Sequence, residues 1–198
     1  NDPVATYESL IVHEPLSIDF LLPHHNWANP PPRPSGGSPT PYADWLIAVF
    51  DRWYEAPLAE TQVRLFAEIM KLAFGKPSSL ETIGLGPVAT VVIETDGTYE
   101  QVDALKSTVE GGPVTGLDVF AHDLDLVLSH PAVAVRQLGK KGLCGDCRKC
   151  PVVSMCGGGY FPHRYRPAVG FLNRSVYCDD LYALITHIRS TLIRSCGE

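Results

Sequence analysis

Between Cys144 and Tyr160 the chain reads CGDCRKCPVVSMCGGGY, so four of its six cysteines fall within thirteen residues. Thiols this crowded dictate the path of the backbone around whatever joins the sulfurs. Disulfides, a zinc ion and an iron–sulfur cluster each impose a different local fold. The rest of the chain narrows the choice. No apolar run approaches the roughly 20 residues needed to span a bilayer, and no basic region leads into a short apolar stretch at the start. A cytoplasmic protein without a membrane partner is expected. Disulfides are rare in that compartment, where the same spacing points to metal or redox chemistry.

With 198 residues, 45% of them hydrophobic, the chain is too apolar for intrinsic disorder and can bury one sizeable core or two modest ones. Sixteen Lys and Arg against 22 Asp and Glu give a net charge of −6, which argues against nucleic acid as a partner. Arg148, Lys149, His163, Arg164 and Arg166 form a local basic area beside the cysteines, read as a solvated loop surface rather than a dock for an acidic peptide.

Three zones follow one another. In residues 1–75, Leu10 to Val12 and Ile18 to Leu22 read as short buried strands. The loop PHHNWANPPPRPSGGSPTP holds seven of the 17 prolines and excludes helix and central strand. Trp45, Leu46, Val49, Phe50 and Trp53 then repeat at helical spacing, and a second helix is predicted over Glu60 to Phe74. Strand, long loop and helix is the rhythm of an α/β layer. In the second zone, VATVVIETDGTYEQVDAL surrounds Asp96-Gly97 as a hairpin should, and a helix is predicted over Phe120 to Ser129, stopping before Pro131. The third zone is the cysteine segment, followed by a helix carrying Leu181, Leu184, Ile185, Ile188 and Leu192 on one face.

Thiolates three residues apart on a tight turn can bind one zinc or neighbouring irons of one cluster. Spacing leaves both open. The triple glycine Gly157 to Gly159 lacks the Lys-Ser/Thr of a phosphate loop and suits close wrapping of backbone around sulfur.

The order Cys147-x2-Cys150-x5-Cys156, then GGGYFPHRYR, then GFLNRSVYCDDL with Cys178, resembles the SPASM extension of radical S-adenosylmethionine enzymes, and most closely the peptide maturases that forge cyclophane rings in ribosomally made peptides. IDFLLP, IETDGTYEQVDALK and TGLDVF resemble stretches of the same subfamily in the same order. The resemblance implies the C-terminal part of a partial (β/α) barrel in residues 1–75 and a cluster-binding extension with a β-hairpin and helices in residues 76–198. It implies one auxiliary 4Fe–4S cluster on Cys147, Cys150, Cys156 and Cys178. Cys144 is ambiguous and Cys196 a bystander. Positions that carry a second cluster's cysteines in two-cluster relatives hold Val102, Leu117 and Tyr160 here.

The C-x3-C-x2-C loop that binds the S-adenosylmethionine-cleaving cluster is missing, so the resemblance implies a partner radical half N-terminal to this chain and a precursor peptide as substrate. By itself the chain is expected to generate no radical. Asp118, in GLDVF, lies where sulfatase-maturing relatives place a catalytic base; as an alternative it caps the helix predicted at Phe120. His24, His25 and Trp27 lie in the Pro-rich loop after a barrel strand, the end where such barrels keep their chemistry, or form an ordinary polar loop. Asp19 faces substrate or closes a strand turn. The alternative to the whole assignment is a zinc-stabilised peptide-binding module without redox chemistry.

Overall fold

The computed structural model of the protein describes residues 1–87 and 90–197, except for the side chain of Cys196. The expectation that Cys196 is a bystander, and the opening Val88 and Ala89 of the hairpin run, therefore lie outside the described residues. Helix α1 (Pro3–Ile11) begins the chain, with Asp2 accepting from the Ala5 amide at 2.8 Å and Pro3 in the first turn. That corrects the strand expected at Leu10 to Val12. Tyr7 is the residue α1 buries, and its hydroxyl donates to Glu60 at 2.8 Å.

Strand β1 (Ser17–Ile18) lies parallel to β2 (Gln62–Val63), and α2 (Pro41–Tyr54) crosses between them. Of the run expected as strand from Ile18 to Leu22, only Ile18 is paired. Helix α3 (Arg64–Ala73) follows β2 directly. The helical spacing seen in the sequence is the buried face: Leu46, Val49 and Phe50 of α2 meet Phe66 and Ile69 of α3, with the Phe50 and Phe66 rings edge to face at 5.4 Å. Helix α8 (Cys178–Cys196) closes this layer with Leu184, Ile185, Ile188 and Leu192.

Neither α2 nor α3 is capped by its own N-cap side chain. Their orphan amides are met from a distance. Asp180, on the first turn of α8 and 2% exposed, accepts from the Tyr42 and Ala43 amides at 3.0 and 3.1 Å and from Arg33 at 2.5 Å. Asp19 accepts from the Leu65 amide at 3.3 Å and so caps α3 from a distance, and it also borders a cavity. Asp180→Ala should therefore lower stability by about 2 kcal/mol, because it leaves two helix-terminal amides unpaired and removes the partner of the part-exposed Arg33. Urea unfolding checks this, and a change below about 1 kcal/mol would mean that water replaces the carboxylate.

The second zone forms an antiparallel sheet in the order β3 (Val92–Ile93), β4 (Thr98–Glu100), β5 (Val114–Asp118). The hairpin turns at Asp96-Gly97 as expected, with Gly97 at φ 87° and Asp96 accepting from the Thr98 amide. The helix expected from Phe120 starts at Leu124 instead: residues 118–122 form a turn, and α4 (Leu124–Ser129) and α5 (Pro131–Ala134) follow. Among the described residues no helix is long and apolar enough to cross a membrane.

Candidate metal centre

Two short helices carry the cysteine segment. Cys144 precedes α6 (Gly145–Lys149), which holds Cys147 and ends at Cys150 because Pro151 cannot continue it. Helix α7 (Val153–Cys156) ends on Gly157 in the left-handed conformation, a frequent helix stop. Val152 and Met155 plunge into the core shared by α2, α3 and α8 and fix α7 against it. Cys178 opens α8, so its sulfur sits at the positive end of a 19-residue helix.

These elements bring Cys147, Cys150, Cys156 and Cys178 onto one cavity of about 190 Å³, also lined by Gly158, Arg174 and Tyr182. Cys144 does not line it. It faces a neighbouring recess with Trp27, Arg166 and Arg174. All five described cysteines are free thiols.

Burial pushes the Cys147 thiol up to about 12, and the neighbouring sulfurs of Cys144, Cys178 and Cys156 add to the shift. Burial pushes Cys156 up to about 11 against the opposing pull of the Gly158 amide and Arg164. Cys178 is raised by burial too, partly offset by Arg174. Cys147, Cys156 and Cys178 thus resist ionising beside neighbouring sulfurs, a conflict that a shared cation removes, since thiolates are the metal-binding form. The donor set therefore fits a cationic thiolate-bound centre, and loading it should release protons.

Gly157, Gly158 and Gly159 are all buried with φ of 60°, 81° and 69°. Arg164 stitches them together, donating to their three carbonyls at 2.8, 3.0 and 2.6 Å. His163 is 3% exposed, and burial followed by the fields of His24 and His25 pushes its pKa down to about 4. The basic area expected on the surface is thereby corrected: His163 is buried and Arg164 half-buried against the carbonyls that the glycine loop turns toward it, while Arg148, Lys149 and Arg166 stay outside. Nothing in the local sequence distinguishes these two groups; the fixed spacing from the triple glycine is the available signal.

Asp118 ends β5 away from this centre. Its Oδ1 accepts from the Phe120 and Ala121 amides at 2.8 Å each, and its Oδ2 lies 3.6 Å from His122 Nδ1. His24 borders a separate cavity with Asp19 and His163. His25 holds the carbonyl of Asn29, and Trp27 donates to the carbonyl of Arg174 at 2.7 Å, pinning the Pro-rich loop to the cysteine zone. Among the described residues, the one trio of metal-ligating side chains with ligand atoms within 4.8 Å of each other is Glu94, Glu100 and Asp103, each of which forms an ion pair with Lys106.

A scan against protein-family models found no match, and a search of curated proteins found none. Among solved structures, native anSMEcpe with bound AdoMet and Kp18Cys peptide matches with a TM-score of 0.61 at 19% identity, over 79% of this chain and 42% of that one. Native anSMEcpe with bound AdoMet and Cp18Cys peptide matches with the same TM-score and identity, over 79% of this chain and 43% of that one. The hexahistidine-tagged form with bound AdoMet gives a TM-score of 0.57 at 21% identity, over 79% of this chain and 40% of that one. The chain thus spans about two fifths of the structures it matches, and over most of its own length it shares their fold.

Proposed function

We propose that this chain is the C-terminal part of a radical S-adenosylmethionine, SPASM-type peptide maturase, in which Cys147, Cys150, Cys156 and Cys178 hold one 4Fe–4S cluster. The observation that carries the reading is the meeting of those four thiols on one cavity, in a fold shared with an enzyme solved with AdoMet and peptide.

The β1–α2–β2 crossover supports a barrel portion over residues 1–75, with the extension in residues 76–198. Parallel strands are normally buried among further strands, yet beside this two-stranded pair Leu16 is 95% and Leu21 72% exposed. A radical half contributing neighbouring strands, S-adenosylmethionine and its own cluster would complete the sheet.

The proposed reaction joins a β-carbon of a ribosomally made peptide to an aromatic ring. The β-carbon loses a hydrogen atom to the deoxyadenosyl radical, the new carbon–carbon bond forms, and the ring then gives up one proton and one electron. A cluster at the cysteines supplies an acceptor or relay for that electron. Asp118 takes the proton: Oδ1 is held by two amides, leaving Oδ2 to accept. Together with the radical half, the chain should produce peptide lighter by two hydrogens, read by mass spectrometry. Asp118→Asn should keep iron and fold and reduce crosslinking by about 100-fold or more. Unchanged crosslinking would reduce Asp118 to the holder of its turn.

A further inference from the structure

The glycine loop stands between two cavities. Gly158 borders the one lined by the four thiols, and Gly157 borders another that is lined also by Arg164, Arg136 and Glu81. In the latter, Arg136 pairs with Glu81 at 2.5 Å, and among the described residues no carboxylate pairs with Arg164. The Arg164 fork is spent instead on three uncharged carbonyls. A half-buried guanidinium without a counter-ion is costly unless an anionic group stands close. Burial works against the Arg164 charge, and the sulfurs of Cys156, Cys147 and Cys144 favour it.

The loop's peptide units link this arginine to the thiols. A trans peptide unit points its C=O and the following N–H in opposite directions. The Gly157 carbonyl accepts from Arg164 at 2.8 Å, so the Gly158 N–H of the same unit points away from the guanidinium, and there it meets the Cys156 sulfur. The other two loop amides are used elsewhere: Gly157 donates to the Val153 carbonyl at 2.8 Å and Gly159 to the Cys156 carbonyl at 2.9 Å. A side chain at position 158 could not share this space, because its Cβ would lie 2.9 Å from Leu143 Cδ2 and 3.1 Å from Arg164 Cζ. Phe161 restrains the guanidinium from another side, with Arg164 Cζ 5.8 Å from its ring centroid.

We infer that Arg164 is a positioning residue of the metal centre: by holding the Gly157 carbonyl it presents the Gly158 N–H to the Cys156 sulfur, and its own charge adds to the same field. The inference rests on the 4Fe–4S assignment proposed above. Hydrogen bonds to the sulfurs and nearby charge set the potential of such a centre, and residues one layer out orient its ligands. A thiolate-bound cluster is more negative once reduced, so the amide and the guanidinium both favour the reduced form. Arg164 thereby raises the potential and eases acceptance of the electron that the aromatic ring gives up.

Anaerobic redox titration of the iron-loaded 198-residue chain, followed by EPR, tests this. Arg164→Gln should keep its iron and shift the one-electron equilibrium about tenfold or more toward the oxidised form, a potential lower by about 59 mV. Arg164→Lys, which keeps the charge without the planar fork, should fall between the two. Arg174→Gln removes a charge from the rim of the thiol cavity, where the side chain is 48% exposed and screened, and should shift the equilibrium by less than about threefold. With glycine labelled by nitrogen-15, pulsed EPR of the reduced centre should show a coupling to a glycine nitrogen that Arg164→Gln loses. That coupling is read on the unaltered chain, so it decides even where a variant fails to fold. Its absence would overturn the inference, as would an Arg164→Gln equilibrium within about twofold of the unaltered one at equal iron, or equal shifts from Arg164→Gln and Arg174→Gln. Iron uptake with an unmoved potential sinks this inference and spares the cluster assignment; uptake of zinc without iron sinks both.

Discussion

Gly157→Ala should unfold the cysteine zone. A Cβ at this position would stand 1.6 Å from the carbonyl oxygen of Gly84 and 2.4 Å from its carbon, both rigid backbone atoms. The two segments of chain cannot separate cheaply, because the Gly84 amide donates to the Met155 carbonyl at 2.9 Å and Arg164 holds the loop's carbonyls from the other side. Gly157 also sits at φ 60°, a conformation that costs an L-residue about 1–2 kcal/mol by itself. Overlap with backbone adds to that, and a loss of about 4 kcal/mol or more is expected, in the range kept for severe core defects. Gly36→Ala separates the two causes. Gly36 has φ 74° and nothing within 4 Å of a built Cβ, so it should show only the conformational cost of about 1–2 kcal/mol. Urea unfolding of both variants reads the difference, and equal losses would mean that the Gly84 contact gives way freely.

Replacing any one of Cys147, Cys150, Cys156 or Cys178 by serine should remove most of the iron that the reconstituted chain binds, whereas Cys144→Ser should retain it. The distinction comes from which sulfurs line the cavity: the four do, whereas Cys144, although its sulfur contacts Cys147, lines the recess of Trp27 and Arg174. A ligand lost from α6, α7 or the start of α8 also frees a segment that the metal would otherwise tie, so stability of the loaded protein should fall with the iron. Iron analysis of the five variants reads this pattern. Retention by a Cys150→Ser chain together with loss from Cys144→Ser would exchange those two sulfurs in the assignment.

Much of the layer around this centre is legible because its helices obey a simple period. Helices α2 and α8 bury residues their spacing marks, α3 starts at Arg64 rather than Glu60 because Gln62 and Val63 pair as β2, and the Asp96-Gly97 hairpin forms where its dipeptide requires. Helix α1 has a strong start signal in Asp2-Pro3, but the apolar run from Leu10 to Val12 at its end reads locally as strand. What local sequence does not show is long-range satisfaction of backbone. Asp180 caps α2 from 138 residues beyond Tyr42, and Asp19 caps α3 from 46 residues before Leu65. Arg164 reads as a surface charge because the demand that buries it, three inward carbonyls, exists only once the glycines have turned. Among the site residues, the spacing of Cys147, Cys150 and Cys156 is plain, while the inclusion of Cys178 and the setting aside of Cys144 rest on family resemblance. Asp118 reads as a base or a helix cap; its Oδ1 fixes a turn that delays the helix to Leu124.

The most direct test is the metal content of the chain after anaerobic reconstitution with iron and sulfide. About four irons per chain, with a broad absorption near roughly 400 nm, are predicted, since among the described residues four thiols share a cavity and a cluster of this type takes four. One zinc per chain, without iron or colour, would contradict the account and establish a structural zinc module in its place.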